Sequence, residues 1–364
     1  MAAQTLEALR EAVASAAADG RPLRLRGGGS KDFYGGMLSG ELLDTSGYRG
    51  IVAHEPTELY LTARCGTPLA EVEAQLAEGG QMLPFEPPCA LGRGEGAVGQ
   101  GGTATVGGTL AAGLSGPRRQ QAGAVRDFVL GVKLIDGRGQ VLEFGGQVMK
   151  NVAGYDVSRL LAGSLGTLGL VAEVTFKVLP RPPREMSLAF EMSEDKALAA
   201  LNRWGGQPLP LSASFWHDGR LVLRLSGAGA AVEAARSVLG GEVLADPGFW
   251  SAVREQRHAA FAGEVLWRLV LPTTAPPLAL PGATALEWGG GQRWLAGDLD
   301  PEAVRSAAAR AGGHAVLFRA PESLRCRVGA FAPPAPALLA LHRRVKRVFD
   351  PRGIFNPGRL YAEL

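Results

Sequence analysis

Of the 51 glycines in this chain, 32 fall within residues 1–180, far more than regular secondary structure accommodates. Glycine inside a helix or strand costs conformational entropy, so glycine concentrated this way marks backbone that turns sharply or lies bare against a ligand. The remaining composition is ordinary: of 364 residues, 46% are apolar and 20% charged, which supports a sizeable core and argues against disorder. That length exceeds what one core serves, and two domains are expected.

Charge and cysteine content remove several function classes. The net charge of +3 comes from scattered arginines, with no basic stripe and no interleaved aromatics, so no nucleic-acid partner is expected. Residues 5–18 are Ala-rich, but Glu7, Arg10 and Glu11 interrupt the apolar core a signal peptide needs. They read instead as a surface helix. With no membrane span in the sequence either, a cytoplasmic setting is expected. Cys65, Cys89 and Cys326 are too few and too scattered for a disulfide framework or an iron–sulfur cluster, so any one-electron relay must lie on another chain.

The pattern along the chain is α+β. Residues 23–26 read as a strand running straight into Gly27-Gly28-Gly29-Ser30-Lys31. Strands follow at 51–54 and 58–65, and Thr67-Pro68 opens a helix, as a cap followed by proline at the first helical position. Leu69, Val72 and Leu76 give that helix one apolar face. From 84 to 116 the chain is long and aperiodic, rich in Gly, Pro, Thr and Ser, as functional loops are. Segments 128–135 and 140–144 flank Asp136-Gly137-Arg138-Gly139, a hairpin signal. A short helix at 156–162, a glycine loop at 163–169 and an alternating strand at 170–179 lead to Pro180, Pro182 and Pro183, which mark a domain boundary. Beyond it, strands at 186–192, 212–217 and 221–225 interleave with helices near 195–204 and 230–239. Strands at 264–271, 292–296 and 314–318, with a helix after Pro301, repeat that order as a second, similar half. A helix at 336–349 and a tail at 354–364 close the chain.

A glycine run after a strand suits phosphate, because consecutive N–H groups can converge on an anion. The run at 27–29 has that setting. A second segment alternates small hydroxyls with glycine at Thr103, Thr105, Gly107, Gly108, Gly113, Ser115 and Gly116, and a third is Gly163-Ser164-Leu165-Gly166-Thr167-Leu168-Gly169. Gly92-Arg93-Gly94-Glu95-Gly96-Ala97 fits the dinucleotide fingerprint G-x-G-x-x-G/A, yet it follows Pro87-Pro88 and leads into more glycine instead of opening a helix. The usual nicotinamide fold is therefore not indicated. No Gly-Lys-Ser/Thr occurs, which removes the P-loop nucleotidases.

These residues carry a family resemblance. Residues 20–180 resemble the PCMH-type FAD-binding domain of the vanillyl-alcohol oxidase superfamily, and the whole chain resembles the E-type FAD-binding subunits of bacterial glycolate oxidases. The matching stretches run from Pro22 to Ser30, Met82 to Pro88, Thr105 to Ala111, Lys150 to Asp156 and Gly163 to Val171, and end with Phe355-Asn356-Pro357-Gly358. The resemblance implies an α+β fold, with a two-subdomain FAD-binding domain over 1–181 and a ferredoxin-like cap domain over 182–330. A C-terminal helix and tail over 331–364 would return to the FAD domain.

By resemblance, Arg26, Gly27, Gly28, Gly29, Ser30 and Lys31, with Thr105, Val106, Gly107, Gly108, Ala111, Gly113 and Ser115, surround the pyrophosphate, ribityl chain and flavin. Pro84 joins them from its own matching stretch. Gly166, Gly169 and Val171 approach the adenosine, and Asn356 returns to the flavin end. Relatives that hold flavin covalently use a histidine near the first glycine loop, where this chain has Ser30, so noncovalent FAD is expected.

The resemblance implies oxidation of a small 2-hydroxy acid, glycolate to glyoxylate, in a complex with a second flavin subunit and an iron–sulfur subunit. Any membrane association would run through that complex. Such chemistry needs a base for the hydroxyl proton and a cation for the carboxylate. His217, His314, Arg319, Arg325 and Arg327 are the residues of that type, but the histidines read as strand-end residues and the arginines as solvated edge charges. His54 reads as a turn residue, and His258 and His342 as helical. Arg343, Arg344, Lys346 and Arg347 read as a solvated helix face or a docking surface. The histidine-rich Gly-Asp-Gly-Asn segment of related 2-hydroxy acid dehydrogenases does not occur in residues 185–364. Three alternatives therefore stay open: a non-catalytic FAD relay or structural subunit, a reductase of the same fold using NADPH, and a glycine-rich interaction protein with no cofactor.

Overall fold

The computed structural model describes residues 4–91, 104–146 and 156–364. The fingerprint match at 92–97, Thr103 and the Lys150 to Tyr155 part of the fourth matching stretch lie outside the described residues.

The helix Leu6–Asp19 begins where the Thr5 hydroxyl accepts from the Ala8 amide and ends at Gly20, whose φ of 67° suits a left-handed cap. Its buried Leu9, Val13 and Ala16 pack on β1 (Leu23–Arg26) and on the C-terminal Ile354 and Phe355. β1 pairs in parallel with β2 (Glu41–Asp44) on one side and bridges to Phe355 on the other. The glycine loop thus leaves a strand held from both edges.

A second layer is the antiparallel sheet of β3 (Ile51–Glu55), β4 (Tyr60–Arg64), β6 (Val129–Ile135), β7 (Val141–Gly145) and β8 (Leu170–Lys177), in the order β3-β4-β8-β6-β7. The short β5 (Gln81–Met82) pairs separately with β9 (Leu179–Pro180). The expected hairpin is β6–β7. Against this sheet lie the helices Leu69–Glu78 and Val106–Ala112. Leu69, Val72 and Leu76 are fully buried, each contributing about 1.5–3 kcal/mol of apolar burial.

Local details depart from the sequence reading. Pro68 stands just outside its helix, because Thr67 turns its hydroxyl to the Gly50 carbonyl and amide instead of capping. His54 lies in β3, bonded to Gln81, rather than in a turn. His258 caps a 3-10 turn through Nδ1 to the Ala260 amide. Inside the aperiodic stretch, Thr105 starts the seven-residue helix Val106–Ala112.

The second sheet has eight strands: β10 (Arg184–Glu191), β11 (Leu211–His217), β12 (Arg220–Gly227), β13 (Glu242–Val243), β14 (Leu266–Val270), β15 (Ala283–Glu287), β16 (Gln292–Ala296) and β17 (His314–Arg319). Their order is β13-β10-β12-β11-β15-β16-β14-β17. The first four, with helices Glu194–Gly205 and Gly229–Leu239, have the ferredoxin-like order 4-1-3-2, and the last four mirror it as 2-3-1-4. In the second half an irregular segment replaces the first helix, since Pro272, Pro276, Pro277 and Pro281 break helical hydrogen bonding. β15 was not anticipated. It pairs antiparallel with β11, so each half covers the other's exposed edge.

A mixed core joins the two sheets, with Tyr34, Ala112, Leu114 and Leu165 packed on Phe215, Phe261, Trp294 and Phe318. Beside it, Glu86 accepts from Arg118 at 3.2 Å and from Arg224 at 2.9 Å, one arginine from each side. Both guanidiniums hold this partly buried carboxyl below its usual range against the opposing effect of desolvation.

Candidate functional site

A glycine-lined cleft of about 840 Å³, including its open mouth, is built by three segments and closed by a fourth. The first wall is the loop leaving β1: Arg26, Gly27, Gly28, Gly29, Ser30 and Lys31. Thr105, Gly107, Gly108 and Ala111 form the second, Gly166, Gly169 and Val171 the third, and Asn356 comes from the tail. Four expected residues lie elsewhere. Pro84 is buried between core residues Leu83 and Phe85, Val106 is in the same core, Gly113 ends its helix against Gly163, and the Ser115 hydroxyl accepts from the Val125 amide.

The walls meet so closely that side chains are excluded. A Cβ on Gly27 would stand 2.2 Å from the Thr105 hydroxyl, and one on Gly107 would stand 2.7 Å from the Cys65 Cβ. Gly29 (φ 73°) and Gly166 (φ 71°) adopt left-handed backbone, and a Cβ on Gly166 would lie 2.6 Å from Asn356 Nδ2.

Asn356 is the clasp. Its Oδ1 accepts from the Leu25 amide at 2.8 Å and its Nδ2 donates to the Leu165 carbonyl at 2.7 Å, joining β1 to the third wall.

The cleft is net cationic. Arg26 pairs with Asp32 at 2.9 Å, which leaves Lys31 and Arg359. Lys31 donates to Ser30 Oγ at 3.0 Å and to the Pro88 carbonyl at 2.7 Å, and burial brings its ammonium down to about pKa 8. Arg359 donates to the carbonyls of Gly36, Lys31 and Asp32, fixing the course of the glycine loop. Burial pushes it down to about 10. Bare backbone beside unneutralised cations is the donor set a dinucleotide's diphosphate requires, and Leu25, Leu38, Leu165 and Leu170 supply apolar surface for flat rings. The residues present therefore fit FAD.

Sequence reasoning missed Arg359, Cys65 and Thr45 among the lining residues. Arg359 had a signal, one residue beyond the Asn356-Pro357-Gly358 match; Cys65 and Thr45 had none.

None of His217, His314, Arg319, Arg325 and Arg327 lines the cleft. His217 bonds the Thr284 carbonyl at 3.0 Å, and His314 and Arg327 are exposed. Arg319 is buried and donates to the Phe261 and Gly263 carbonyls, so it is no solvated edge charge. Arg325 reaches the Gly35 carbonyl at 3.2 Å.

This fold and cleft define an FAD-binding oxidoreductase. The family model for an FAD binding domain matches residues 1–145, and that for the C-terminal domain of FAD linked oxidases matches 334–360. Over 359 residues, 98% of each chain, the protein is 46% identical to the glycolate oxidase subunit GlcE of Escherichia coli. The chain belongs to the GlcE family. It is also 39% identical over 84 residues to the glycolate oxidase subunit GlcD of Bacillus subtilis, covering 23% of this chain and 18% of that one. Against the D-2-hydroxyglutarate dehydrogenase of Xanthomonas citri it is 33% identical over 123 residues, 34% of this chain and 24% of the relative. Among solved structures, an alkyldihydroxyacetonephosphate synthase superposes with a TM-score of 0.67 at 15% identity, covering 96% of this chain and 74% of the other, a likeness of fold.

Proposed function

We propose that this chain is the FAD-carrying subunit of a glycolate oxidase complex that oxidises glycolate to glyoxylate and passes the electrons to a second flavin subunit and an iron–sulfur subunit. The observation that carries this reading is the cationic glycine cleft in a chain 46% identical to a glycolate oxidase subunit over nearly its whole length. FAD supplies the two-electron acceptor. The chain's own residues hold it: the amides of 27–29 and 107–108 with Lys31 and Arg359 face the diphosphate, and Gly166, Gly169 and Val171 leave room for the adenosine. Asn356 keeps these walls together.

Noncovalent attachment is part of the proposal. Among the described lining residues the hydroxyl, amine and thiol groups belong to Ser30, Thr45, Thr105, Lys31 and Cys65; Thr45 donates to the Arg26 carbonyl and Thr105 caps its helix. The Ser30 hydroxyl is occupied by Lys31, and burial pushes the Cys65 thiol to about 12, far from a reactive thiolate. The units proposed are 1–181, 182–330 and 331–364; the first large sheet ends at Lys177, the second starts at Arg184, and the tail pairs with β1. Among the described residues no helix is long and apolar enough to cross a membrane. A cytoplasmic setting, with any membrane contact made through partner subunits, fits this reading.

Acid precipitation of the purified yellow protein tests the attachment: FAD should leave with the supernatant, and colour kept in the pellet refutes it. Anaerobic titration with glycolate tests the activity through bleaching of the flavin band. A second reading, in which the chain holds FAD as a relay, draws on the position of the five histidine and arginine candidates away from the cleft. It predicts no bleaching until the partner subunits are added.

A further inference from the structure

The helix Pro336–Phe349 carries two neighbouring seams, and the protein covers one of them. On the covered side His342 meets the Tyr361 ring edge-on at 5.5 Å, Lys346 reaches the Thr167 carbonyl, and Phe349 packs on the Phe144 ring. Beside it run Leu338, Leu341, Val345 and Val348, spaced by three, four and three residues, the repeat by which one helix packs along another. Val345 is half-buried against the core of the first sheet, but Leu338 is 47%, Leu341 52% and Val348 64% exposed. A helix-packing seam is thus left open to solvent.

The seam borders a groove of about 790 Å³, including its open mouth, between this helix, the segment 160–168 and the tail. Its lining is mostly apolar, with Leu160, Leu168, Leu341, Val345, Leu360 and Leu364. Leu160, also exposed, comes from a separate segment of the chain. Large apolar side chains gathered around one recess mark a contact surface, whereas scattered single ones do not.

The rim is basic. Arg343, Arg344 and Arg347 are exposed and, among the described residues, have no carboxylate partner. From Pro336 to Leu364 six lysines and arginines stand against two carboxylates, and one of these, Asp350, is taken up by Lys346. Near the other wall, Arg159 is neutralised by Asp156 at 3.0 Å. Arg344 follows Leu341 by three residues and precedes Val348 by four, so it stands against the seam itself.

We propose that this face docks an amphipathic helix of a partner subunit, with its apolar seam laid along Leu338, Leu341 and Val348 and its aspartate or glutamate side chains facing Arg344 and Arg347. A second copy of this chain would bring arginines against arginines. A membrane surface matches the charge but not the shape, since Leu341 and Val345 line a recess, whereas side chains that enter lipid stand out from the surface. The assignment rests on the reading of this chain as one subunit of a complex. The groove and the FAD cleft share one loop: Gly163, Ser164 and Thr167 line the groove, and Leu165, Gly166 and Gly169 line the cleft. The partner would therefore bind behind the cofactor's third wall.

The test is co-expression of the tagged full-length chain, or its variants, with the second flavin subunit and the iron–sulfur subunit of its own organism. Pull-down titration measures assembly, and hydrogen exchange compares the purified complex with the isolated chain. Wild type should co-purify with a partner subunit, and the amides of 338–348 should exchange more slowly in the complex. Leu341→Glu should weaken assembly by roughly ten- to a hundredfold. Arg344→Glu combined with Arg347→Glu should weaken it by roughly two- to tenfold, with the larger effect at low salt. Flavin absorption and the thermal melt of each isolated variant report FAD retention and folding, and the charge-reversal pair carries the test if Leu341→Glu does not fold. Folded variants that assemble like wild type, or a complex in which 338–348 gains no protection, overturn the docking face and leave the complex reading intact. A wild-type chain that assembles with neither subunit overturns the complex reading and the docking face together. An isolated wild type that dimerises, or that floats with vesicles of phosphatidylglycerol and phosphatidylcholine, and loses this behaviour through Leu341→Glu, assigns the face to a second copy or to lipid and overturns the partner-subunit assignment.

Discussion

Lys346 and Asp350 form a buried ion pair, Nζ to Oδ2 at 2.7 Å, at the end of the helix Pro336–Phe349. Lys346 also donates to the carbonyls of Thr167 and Phe355 at 2.8 Å, while Asp350 accepts from the Ile354 and Phe355 amides. One pair thus fastens the helix, the tail and the third wall of the FAD cleft. Removing one partner leaves a buried charge uncompensated, so Lys346→Met or Asp350→Asn should destabilise the fold by about 3–5 kcal/mol in urea unfolding. The two losses should be markedly non-additive in the double variant, because the sites share one network.

This pair also shows where sequence reasoning stops. Lys346 sits among Arg343, Arg344 and Arg347, and charge alone reads all four as solvated; only Lys346 is buried. The i, i+4 spacing to Asp350, just before Pro351, was the available signal. By contrast, the glycine loops were legible because glycine answers to local backbone demands, and three separated runs meet at one cleft. Arg268 and Glu287, which line one cavity between the cap sheet and the first domain, were illegible for the opposite reason. They lie 19 positions apart on strands that only the sheet order brings together, and β15 itself was unanticipated.

Asn356 adopts a left-handed φ of 41° and makes two hydrogen bonds across the cleft walls. Asn356→Ala should lower FAD affinity by about tenfold, through loss of wall alignment, and cost about 1–3 kcal/mol of stability. Fluorescence titration of the apoprotein with FAD measures the first and thermal unfolding the second. Unchanged affinity would show that the tail does not shape the site.

Gly27→Ala should abolish FAD binding, since its Cβ would meet the Thr105 hydroxyl at 2.2 Å. Adding Thr105→Ala removes that oxygen and leaves the nearest remaining Thr105 atom, Cβ, at 3.3 Å. The double variant should therefore recover part of the affinity, offset by about 1 kcal/mol for the lost helix cap. Failure of the single variant to impair binding would remove Gly27 from the site.

Lys31 makes FAD binding pH-dependent. Burial lowers its pKa to about 8, countered by Cys89 and Glu255 and reinforced by Arg254. An anionic cofactor favours the ammonium, so above pH 8 binding must take up a proton and affinity should fall, by at most about tenfold per pH unit. Lys31→Met should bind more weakly and show none of this slope. In the cofactor-free chain the sign reverses: the contribution of Lys31 to stability is lost as pH falls through 8, because the native state resists charging the amine.

Glu287 sets a different pH window, in the fold itself. Burial raises its pKa from 4.5 to about 7 against the opposing donors Trp294 and Gln292 and the charge of Arg268, with Glu86 adding to the rise. A carboxyl whose folded pKa lies above its unfolded value contributes fully below pH 4.5, and that contribution disappears as pH rises to 7. Across this window the loss should be on the order of 3 kcal/mol in the ligand-free protein. Glu287→Gln, which keeps an oxygen for Trp294 and cannot ionise, should flatten this part of the stability profile and leave the variant more stable than wild type at pH 8. Urea unfolding at half-unit pH steps measures both, and a wild-type profile that matches the variant would show that Glu287 ionises without cost.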